Sequence, residues 1–245
     1  ADCNEMEENS MKRKYMIIVL MAGALELTGC SQGTSNSAKN GTTGSENTII
    51  SESDIAILDT EDMFTERDRD TEYDESECTA ISLSDEETKC DSDGVKMDGQ
   101  TVTITEGGTY LLTGSLSNGS VVVDTDKTEK VQLILENVSI INEEGAGICV
   151  EQADKVFITL ADGSTNKIVS NSFTANEDTN IDGAIFSRED LTLNGSGTLK
   201  ITSAAHGIVS KDDLVLTGGV YQIQSEKQGL SGKESVRIAD ETFTI

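Results

Sequence analysis

The sequence predicts an all-β protein, a parallel β-helix that follows an acidic N-terminal tether. Three similar segments, residues 184–193, 207–216 and 229–238, begin 23 and 22 residues apart. A repeat of this length is typical of a solenoid. Between residues 95 and 245 the chain consists of short runs of Val, Ile, Leu and Thr, broken by Gly, Asn and Asp and without helical periodicity. These runs indicate one short strand after another in every repeat.

Charge excludes one large class of partner. The chain of 245 residues carries 45 acids against 18 Lys and Arg, a formal net charge of −27. A nucleic-acid-binding protein needs a basic face against the phosphate backbone, so nucleic acid is not expected as a partner. The excess of carboxylates suits divalent cations or solubility instead.

The N-terminal residues suggest a signal for export. Residues 1–10 precede Met11 and are interpreted as a translated leader. Residues 11–30 hold a basic start, an apolar run too short to span a bilayer, and Leu-Thr-Gly-Cys ending at Cys30. This pattern resembles a bacterial lipoprotein signal peptide. The resemblance implies a lipid on Cys30 and a location on the extracellular face of the cytoplasmic membrane.

Residues 31–93 are predicted to form a flexible acidic linker. The stretch from Ser31 to Gly94 contains 18 acids and four bases and few apolar residues, a composition typical of poorly ordered chain. Cys78 and Cys90 are close enough in sequence to form a disulfide outside the cell. The alternative is two free thiols. Cys149 alternates with apolar residues and is interpreted as a core residue.

Residues 94–245 are assigned to the β-helix domain. Alternation with a period of two predicts that three pairs of apolar residues face the core and that Thr192, Val215 and Arg237 face outward. The chain stops in the middle of the pattern, so we expect the domain to be truncated at its C-terminus. The inward pairs are Leu191 and Leu193, Leu214 and Leu216, and Val236 and Ile238.

A second ladder contains three of the domain's six aromatic residues. The spacing places Tyr110, Leu199, Tyr221 and Phe243 at equivalent positions of successive coils. Exposed aromatic residues in a row would suit sugar stacking. These positions share the parity of core-facing Leu and Ile, however, so stacking inside the core is the favoured interpretation.

The repeated acidic corner is the candidate metal site. Stacking of coils places Glu189 beside Asp212 and Asp190 beside Asp213, with carboxylates about 5 Å apart. Oxygen ligands at this spacing suit Ca²⁺, and Asp182 belongs to a second acidic group beside the insertion at 171–180. The alternative is a solvated charged corner.

Catalysis has little support in the sequence. His206 is the only histidine, so a zinc cluster or a triad built on several histidines is ruled out. A polysaccharide lyase would need a basic residue to abstract a proton, and Arg188 and Arg237 are the arginines of the domain. Charge balance explains both equally well, and no catalytic residue is assigned.

Taken in order, residues 108–116, 182–199 and 207–219 resemble the carbohydrate-binding domain family of clostridial and related Gram-positive surface lipoproteins. The resemblance implies a right-handed parallel β-helix, bound calcium and binding to plant cell-wall polysaccharide, including acidic sugars, without established catalysis. The family carries Asp-Gly-Ile where this chain has His206-Gly-Ile and Gln228-Gly-Leu.

Three functions follow for the chain. The first is a non-catalytic, lipid-anchored module that binds acidic polysaccharide, with Ca²⁺ bridging the sugars to acids of the domain. The second is a pectate-type polysaccharide lyase, and the third is a structural or adhesive spacer. The acids proposed to hold the calcium are Asp182, Glu189, Asp190, Asp212 and Asp213.

Overall fold

The structure, a computed structural model, describes residues 63–174, 180–239 and 242–244. Cys30, the predicted leader and signal peptide, and the first part of the predicted linker lie outside these residues. Within the described part of the chain, no helix is long and apolar enough to cross a membrane.

Short strands make up almost all of the described secondary structure. The elements are α1 (Glu66–Arg69), β1 (Thr79–Leu83), β2 (Val95–Asp98), β3 (Thr101–Ile104), β4 (Gly108–Leu116), β5 (Ser120–Asp124), β6 (Lys130–Asn142), β7 (Ile148–Gln152), β8 (Lys155–Leu160), β9 (Thr165–Ser170), β10 (Gly183–Ser187), β11 (Asp190–Gly195), β12 (Thr198–Ser203), β13 (His206–Ser210), β14 (Asp213–Leu216), β15 (Val220–Ser225), β16 (Leu230–Gly232), β17 (Ser235–Ile238) and β18 (Thr242–Thr244).

The strands form two sheets. The seven-stranded sheet has the order β16-β13-β10-β7-β5-β3-β2, and its β2–β3 pair is antiparallel. The eleven-stranded sheet has the order β17-β14-β11-β8-β6-β9-β12-β15-β18, with β4 pairing with both β6 and β1. All other pairs between these strands are parallel. The predicted all-β fold with parallel strands is therefore confirmed.

Strand β6 divides the larger sheet into two branches. Its first half pairs with β8 and its second half with β9. Asn137 lies between the halves with a φ of 58°, a left-handed conformation that Asn tolerates better than most residues and that redirects the chain. From β7 onward, each coil contributes one strand to the seven-stranded sheet, one to the β8 branch and one to the β9 branch.

Successive coils pair in the register that the repeat predicts. Leu191 lies opposite Leu214, and Leu214 lies opposite Val236. Four of the six residues predicted to face the core are fully buried, and the last two are partly buried against the same cluster. Burying these side chains contributes about 1.5–3 kcal/mol each. The four are Leu191, Leu193, Leu214 and Leu216, and the two are Val236 and Ile238.

The aromatic ladder is only partly as predicted. Tyr221 stacks on Phe243 with ring centroids 5.1 Å apart, and Leu199 pairs with Tyr221 on the β9 branch. Tyr110 instead lies opposite Leu133 on the other branch. The alignment of Tyr110 with this ladder was wrong because the bend in β6 splits the sheet. Both tyrosines are buried and donate hydrogen bonds to nearby backbone carbonyls, which confirms stacking inside the core.

Residues 63–70, which we call the strap, cover the outward side of the β8 branch. Thr65 begins α1 with a reciprocal capping box to Asp68. The Asp68 carboxylate, in a residue that is 1% exposed, accepts hydrogen bonds of 2.8 Å from both Lys155 Nζ and Thr192 Oγ1. The strap explains why Thr192, predicted to face outward, is fully buried. Val215, also predicted to face outward, is fully buried as well.

The predicted boundary between linker and domain is wrong for residues 63–93. Besides the strap, β1 pairs in parallel with β4, and Ile81 and Leu83 join the main core. An acidic composition favours disorder only where nothing neutralises the charge. Here Lys155 pairs with Asp68, and the apolar residues of β1 extend the sheet by one strand.

The cysteines of the described residues are all free thiols. Cys78 Sγ donates to the Asp74 carbonyl at 3.2 Å, whereas Cys90 packs against the main core. Cys149 is buried, as predicted, in a smaller cluster with Phe186 and Val209. Burial raises the pKa of the Cys149 thiol, which disfavours the nucleophilic thiolate.

Replacing Gly195 with Ala should destabilise the stack of coils. Gly195 has a φ of +100°, and an added Cβ would lie 2.2 Å from the Leu160 carbonyl oxygen of the preceding coil. Gly99 also has a positive φ, of +59°, but open space around its Cβ position. We expect Gly195→Ala to cost at least about 2 kcal/mol more than Gly99→Ala in denaturant unfolding. Equal costs would contradict the close stacking of the two coils.

Acid should release the strap. Burial by itself raises the pKa of Asp68, but hydrogen bonds from Lys155, Thr65 and Thr192 outweigh it and lower the pKa from 3.8 to about 2. Because the folded pKa lies below the unfolded value, this stabilisation is complete above about pH 4 and is lost as the pH falls through about 2. The difference amounts to roughly 2 kcal/mol.

Denaturant unfolding from about pH 6 down to about pH 2 measures this effect. The gap in stability between the parent protein and Asp68→Asn should shrink as the pH falls. A gap that stays constant with pH would show that the Asp68 charge does not hold the strap.

Candidate functional site: an open polar sheet face

The predicted acidic corner is held together by hydrogen bonds and an ion pair. The Asp213 backbone N–H donates to Asp190 Oδ1 at 3.2 Å. The Asp213 carboxylate accepts a hydrogen bond of 2.7 Å from Ser235 Oγ and pairs with the Arg237 guanidinium. Burial raises the pKa of Asp190, against the effect of the Asp213 N–H and of Lys155. The charge at Asp213 is therefore neutralised within the protein.

Asp182 lies apart from this corner, beside two basic side chains. Its carboxylate is 3.4 Å from Lys211 Nζ and 3.6 Å from His206 Nε2. Burial lowers the pKa of His206, although Asp182 acts in the opposite direction. His206 Nδ1 accepts a hydrogen bond from the Gln228 backbone N–H at 3.3 Å.

Glu189 and Asp212 contribute backbone groups to the corner. The hydroxyls of Ser187 and Ser210 donate to the Glu189 carbonyl at 2.7 and 3.0 Å. Among residues 63–174, 180–239 and 242–244, no three His, Cys, Asp or Glu side chains converge as metal ligands. With Asp182 facing Lys211 and Asp213 facing Arg237, the five predicted acids do not fit one calcium site as they are arranged.

The outward side of the seven-stranded sheet is closed by its own charged side chains. Phe186 is fully buried there, with the Arg188 guanidinium 5.6 Å and Lys211 Nζ 5.1 Å from its ring centroid. Arg188 also pairs with Glu151 at 2.6 Å. Within the described residues, this face offers no exposed aromatic ring to a ligand.

The outward side of the β9 branch is open. Side chains on β9, β12 and β15 point alternately into the core and into solvent, and the solvent-facing set forms rows across the strands. We call this surface the open face. The register aligns Ser139, Lys167, Lys200, Gln222 and Thr244 in the first row, and Ile141, Val169, Thr202 and Gln224 in the second.

Two lysines lie side by side on the open face. Lys167 pairs directly with Lys200 across β9 and β12, and both residues are exposed. Neither forms an ion pair with any carboxylate in the part of the chain that the structure describes. Like charges directly opposite each other repel, so an anion placed between these lysines would stabilise the pair.

A shallow cavity adjoins the open face where the third strands of three successive coils end. It has a volume of about 260 Å³ and includes Thr202 and Gln224 of the second row. Ser170, which is 1% exposed, also lines it, and its hydroxyl has no hydrogen-bond partner. A ligand hydroxyl or a water molecule would satisfy this group. The full lining is Ser170, Asn171, Thr202, Ser203, Ala204, Gln224, Ser225 and Glu226.

Sequence reasoning missed the open face because it looked for acids and aromatic rings. The signal was present: Lys167 precedes core-facing Ile168, and Lys200 precedes core-facing Ile201. Alternation alone places both lysines outside. Their pairing required the register between coils, which the insertion at 171–180 obscures.

Comparisons with known proteins agree with this architecture. A curated carbohydrate-binding domain-containing protein of Acetivibrio thermocellus is 34% identical over 137 residues, 54% of this chain and 48% of the relative. The chain therefore spans about half the length of this relative. The solved structure of a polysaccharide lyase-like protein from C. thermocellum, a gadolinium derivative, matches with a TM-score of 0.54 and 24% identity over 64% of this chain and 79% of that one. At this identity the match shows the fold alone.

The family assignment rests on the repeating domain. The profile of the carbohydrate-binding domain-containing proteins matches residues 98–245. This range runs from the end of β2 through every later coil, includes the open face, and is more than half of the chain. The chain belongs to the carbohydrate-binding domain-containing protein family.

Proposed function

We propose that the chain is a non-catalytic module that binds acidic polysaccharide on the open face. The observation that carries the proposal is the pair Lys167 and Lys200, stacked in register and without an acidic partner among the described residues. The chain has 45 acids and 18 bases, yet these two lysines lie beside each other rather than beside an acid, an arrangement that does not favour stability. The pair can instead receive a carboxylate from a ligand.

The open face also matches the form of a polysaccharide. Its rows run across the strands, which lie about 4.8 Å apart, and this spacing is close to one pyranose unit of an extended chain. Gln222 and Gln224 extend the two rows with amide groups that can donate to and accept from sugar hydroxyls. A bound chain would follow the axis along which the coils stack.

Binding would depend on charge and hydrogen bonds rather than on stacking. Tyr221 is fully buried, and Phe243 packs against the main core. The aromatic ring of neither residue is presented on the open face. Since exposed charge pairs are screened by salt, retention on acidic polysaccharide should weaken as ionic strength rises.

The non-catalytic part of the proposal is supported by the state of the basic residues. A lyase needs a group that accepts a proton from the sugar. Arg188 is paired with Glu151, Arg237 with Asp213, and an arginine side chain does not deprotonate in proteins. Lys167 and Lys200 lie on strands and are exposed to solvent.

Two further features belong to the proposal. Crossovers between parallel strands of one sheet are nearly always right-handed, so we propose that the coils wind as a right-handed parallel β-helix. We also propose that a lipid on Cys30 holds the module at the extracellular face of the cytoplasmic membrane, where a polysaccharide of the cell's surroundings is within reach.

Removing the two lysine charges should weaken binding. We expect the double variant Lys167→Gln and Lys200→Gln to bind polygalacturonate about tenfold more weakly, because each lysine loses one charge-assisted hydrogen bond. Affinity electrophoresis in gels containing polygalacturonate measures the loss. A lysine elsewhere on the surface, Lys96 on β2, provides the control through Lys96→Gln. Equal weakening by the control would mean that only net charge matters.

Calcium assistance is tested in the same gels. Because the five predicted acids do not fit one site, we expect retention to persist in a calcium chelator. Loss of retention in chelator, with Lys167→Gln and Lys200→Gln having no effect, would favour the calcium bridge that the sequence predicts.

Catalysis is tested on the same polysaccharide. We expect no rise in ultraviolet absorbance from unsaturated sugar during long incubation with polygalacturonate. Such a rise, in the presence of calcium, would identify the chain as a lyase. Absence of any retention on acidic and neutral glycans would favour a structural spacer.

A further inference from the structure

We propose that the surface beneath the strap is a second ligand site, and that the strap occupies it as an internal competitor. The ligand class is a sugar that carries a carboxylate. This class rests on the proposed function, whereas the displaceable strap does not. The covered surface is the outward side of β6, β8, β11 and β14.

The covered surface has the composition of a sugar-binding face. It presents an aromatic ring, two amides, two hydroxyls and a cation, and all but the cation belong to residues that are less than 5% exposed. The aromatic ring is Phe157, the amides are Gln132 and Asn194, the hydroxyls are Thr159 and Thr192, and the cation is Lys155. Gln132, Thr159 and Asn194 are joined by side-chain hydrogen bonds of 3.0 and 2.7 Å.

The strap satisfies Lys155, Thr192 and Asn194 with groups that an acidic sugar also carries. The Arg67 guanidinium of the strap lies 4.6 Å from the Phe157 ring centroid and donates to Gln132 Oε1 at 2.8 Å. The Asp68 carboxylate takes the hydrogen bonds of Lys155 and Thr192. The carbonyl oxygens of Asp68 and Asp70 accept from Asn194 Nδ2 at 3.2 and 2.9 Å. A sugar carboxylate and ring hydroxyls would offer the same acceptors.

A purely structural cover would not need so polar an interface. Buried ion pairs and amides contribute little net stability compared with well-packed apolar side chains of similar size. A surface that is uncovered part of the time, in contrast, must be soluble when it is uncovered. The buried polar groups of Gln132, Thr159 and Asn194 meet this requirement.

The strap is held mainly by polar contacts, which include hydrogen bonds from Arg67 to Gln132 and from Arg237 to the Met63 carbonyl. Its helix is one turn of four residues, shorter than any helix that is stable alone in water. Residues 71–77, which follow it, are exposed at every position except Tyr73. Segments with few apolar contacts open at a small free-energy cost, and residues 71–77 give the strap room to move.

Displacement can be tested without the open face. In a chain that carries Lys167→Gln and Lys200→Gln, calorimetry measures the affinity of the second site for a galacturonic acid oligomer. We expect Asp68→Asn to tighten binding about tenfold, because the competent state becomes more populated. Glu66→Gln removes the same charge from an exposed position of the same helix, and it should leave the affinity unchanged.

Two additional variants separate displacement from damage. Thr65→Ala removes the helix cap and leaves the covered surface intact, so it should also tighten binding. Adding Lys155→Met to Asp68→Asn should abolish the gain. If the open face does not bind the polysaccharide, the double lysine variant that retains Asp68 will bind as tightly as the parent protein. The effect of the strap is measured separately, as the difference in affinity between Asp68→Asn and Glu66→Gln.

Equal affinities of Asp68→Asn and Glu66→Gln, in folded proteins, would overturn the proposal. Unfolding of Asp68→Asn combined with no gain in Thr65→Ala would also overturn it, since the strap would then be a permanent part of the fold.

Discussion

Parallel pairing of successive coils in register is the constraint on which the rest of the structure depends. It places each residue directly above its counterpart in the previous coil, as with Leu191 above Leu214. An apolar position therefore continues as an apolar ladder, and the core extends with every coil. The same rule acts on the outward side, where a charge meets a second charge at about 4.8 Å.

The three outward surfaces differ in how the stacked charges on them are neutralised. On the seven-stranded sheet, Arg188 and Lys211 lie over Phe186 and pair with acids, so the surface closes on itself. On the β8 branch the strap supplies the Asp68 carboxylate to Lys155. On the β9 branch, Lys167 and Lys200 have no such partner among the described residues. The surface on which two lysines pair in register without an acidic partner among the described residues is the one we assign to an acidic ligand.

The sequence predicted the parts of the fold that repeat. The period, the parallel strands and the inward position of Leu193 and Leu216 all follow from local alternation and spacing. Features that depend on a single event could not be found in this way. Asn137 bends β6 and places Tyr110 on another branch.

The sequence composition could not predict that the strap is ordered, and the reason is physical. Composition averages charge over a segment, whereas Asp68 is stabilised by individual contacts with residues 87 and 124 positions away, Lys155 and Thr192. The acidic corner was predicted to gather ligands, because stacking brings Asp190 and Asp213 together. What the pattern could not reveal is that Arg237 and Ser235 already occupy the Asp213 carboxylate.

Lysine footprinting tests the central claim most directly. Acetylation of the full chain, with and without polygalacturonate, reports which lysines the ligand covers. If the polysaccharide binds the open face, we expect Lys167 and Lys200 to be protected from acetylation, whereas Lys96 and Lys127 should react as they do without it. Unchanged reactivity of Lys167 and Lys200 under conditions where the polysaccharide is bound would contradict the assignment of the open face.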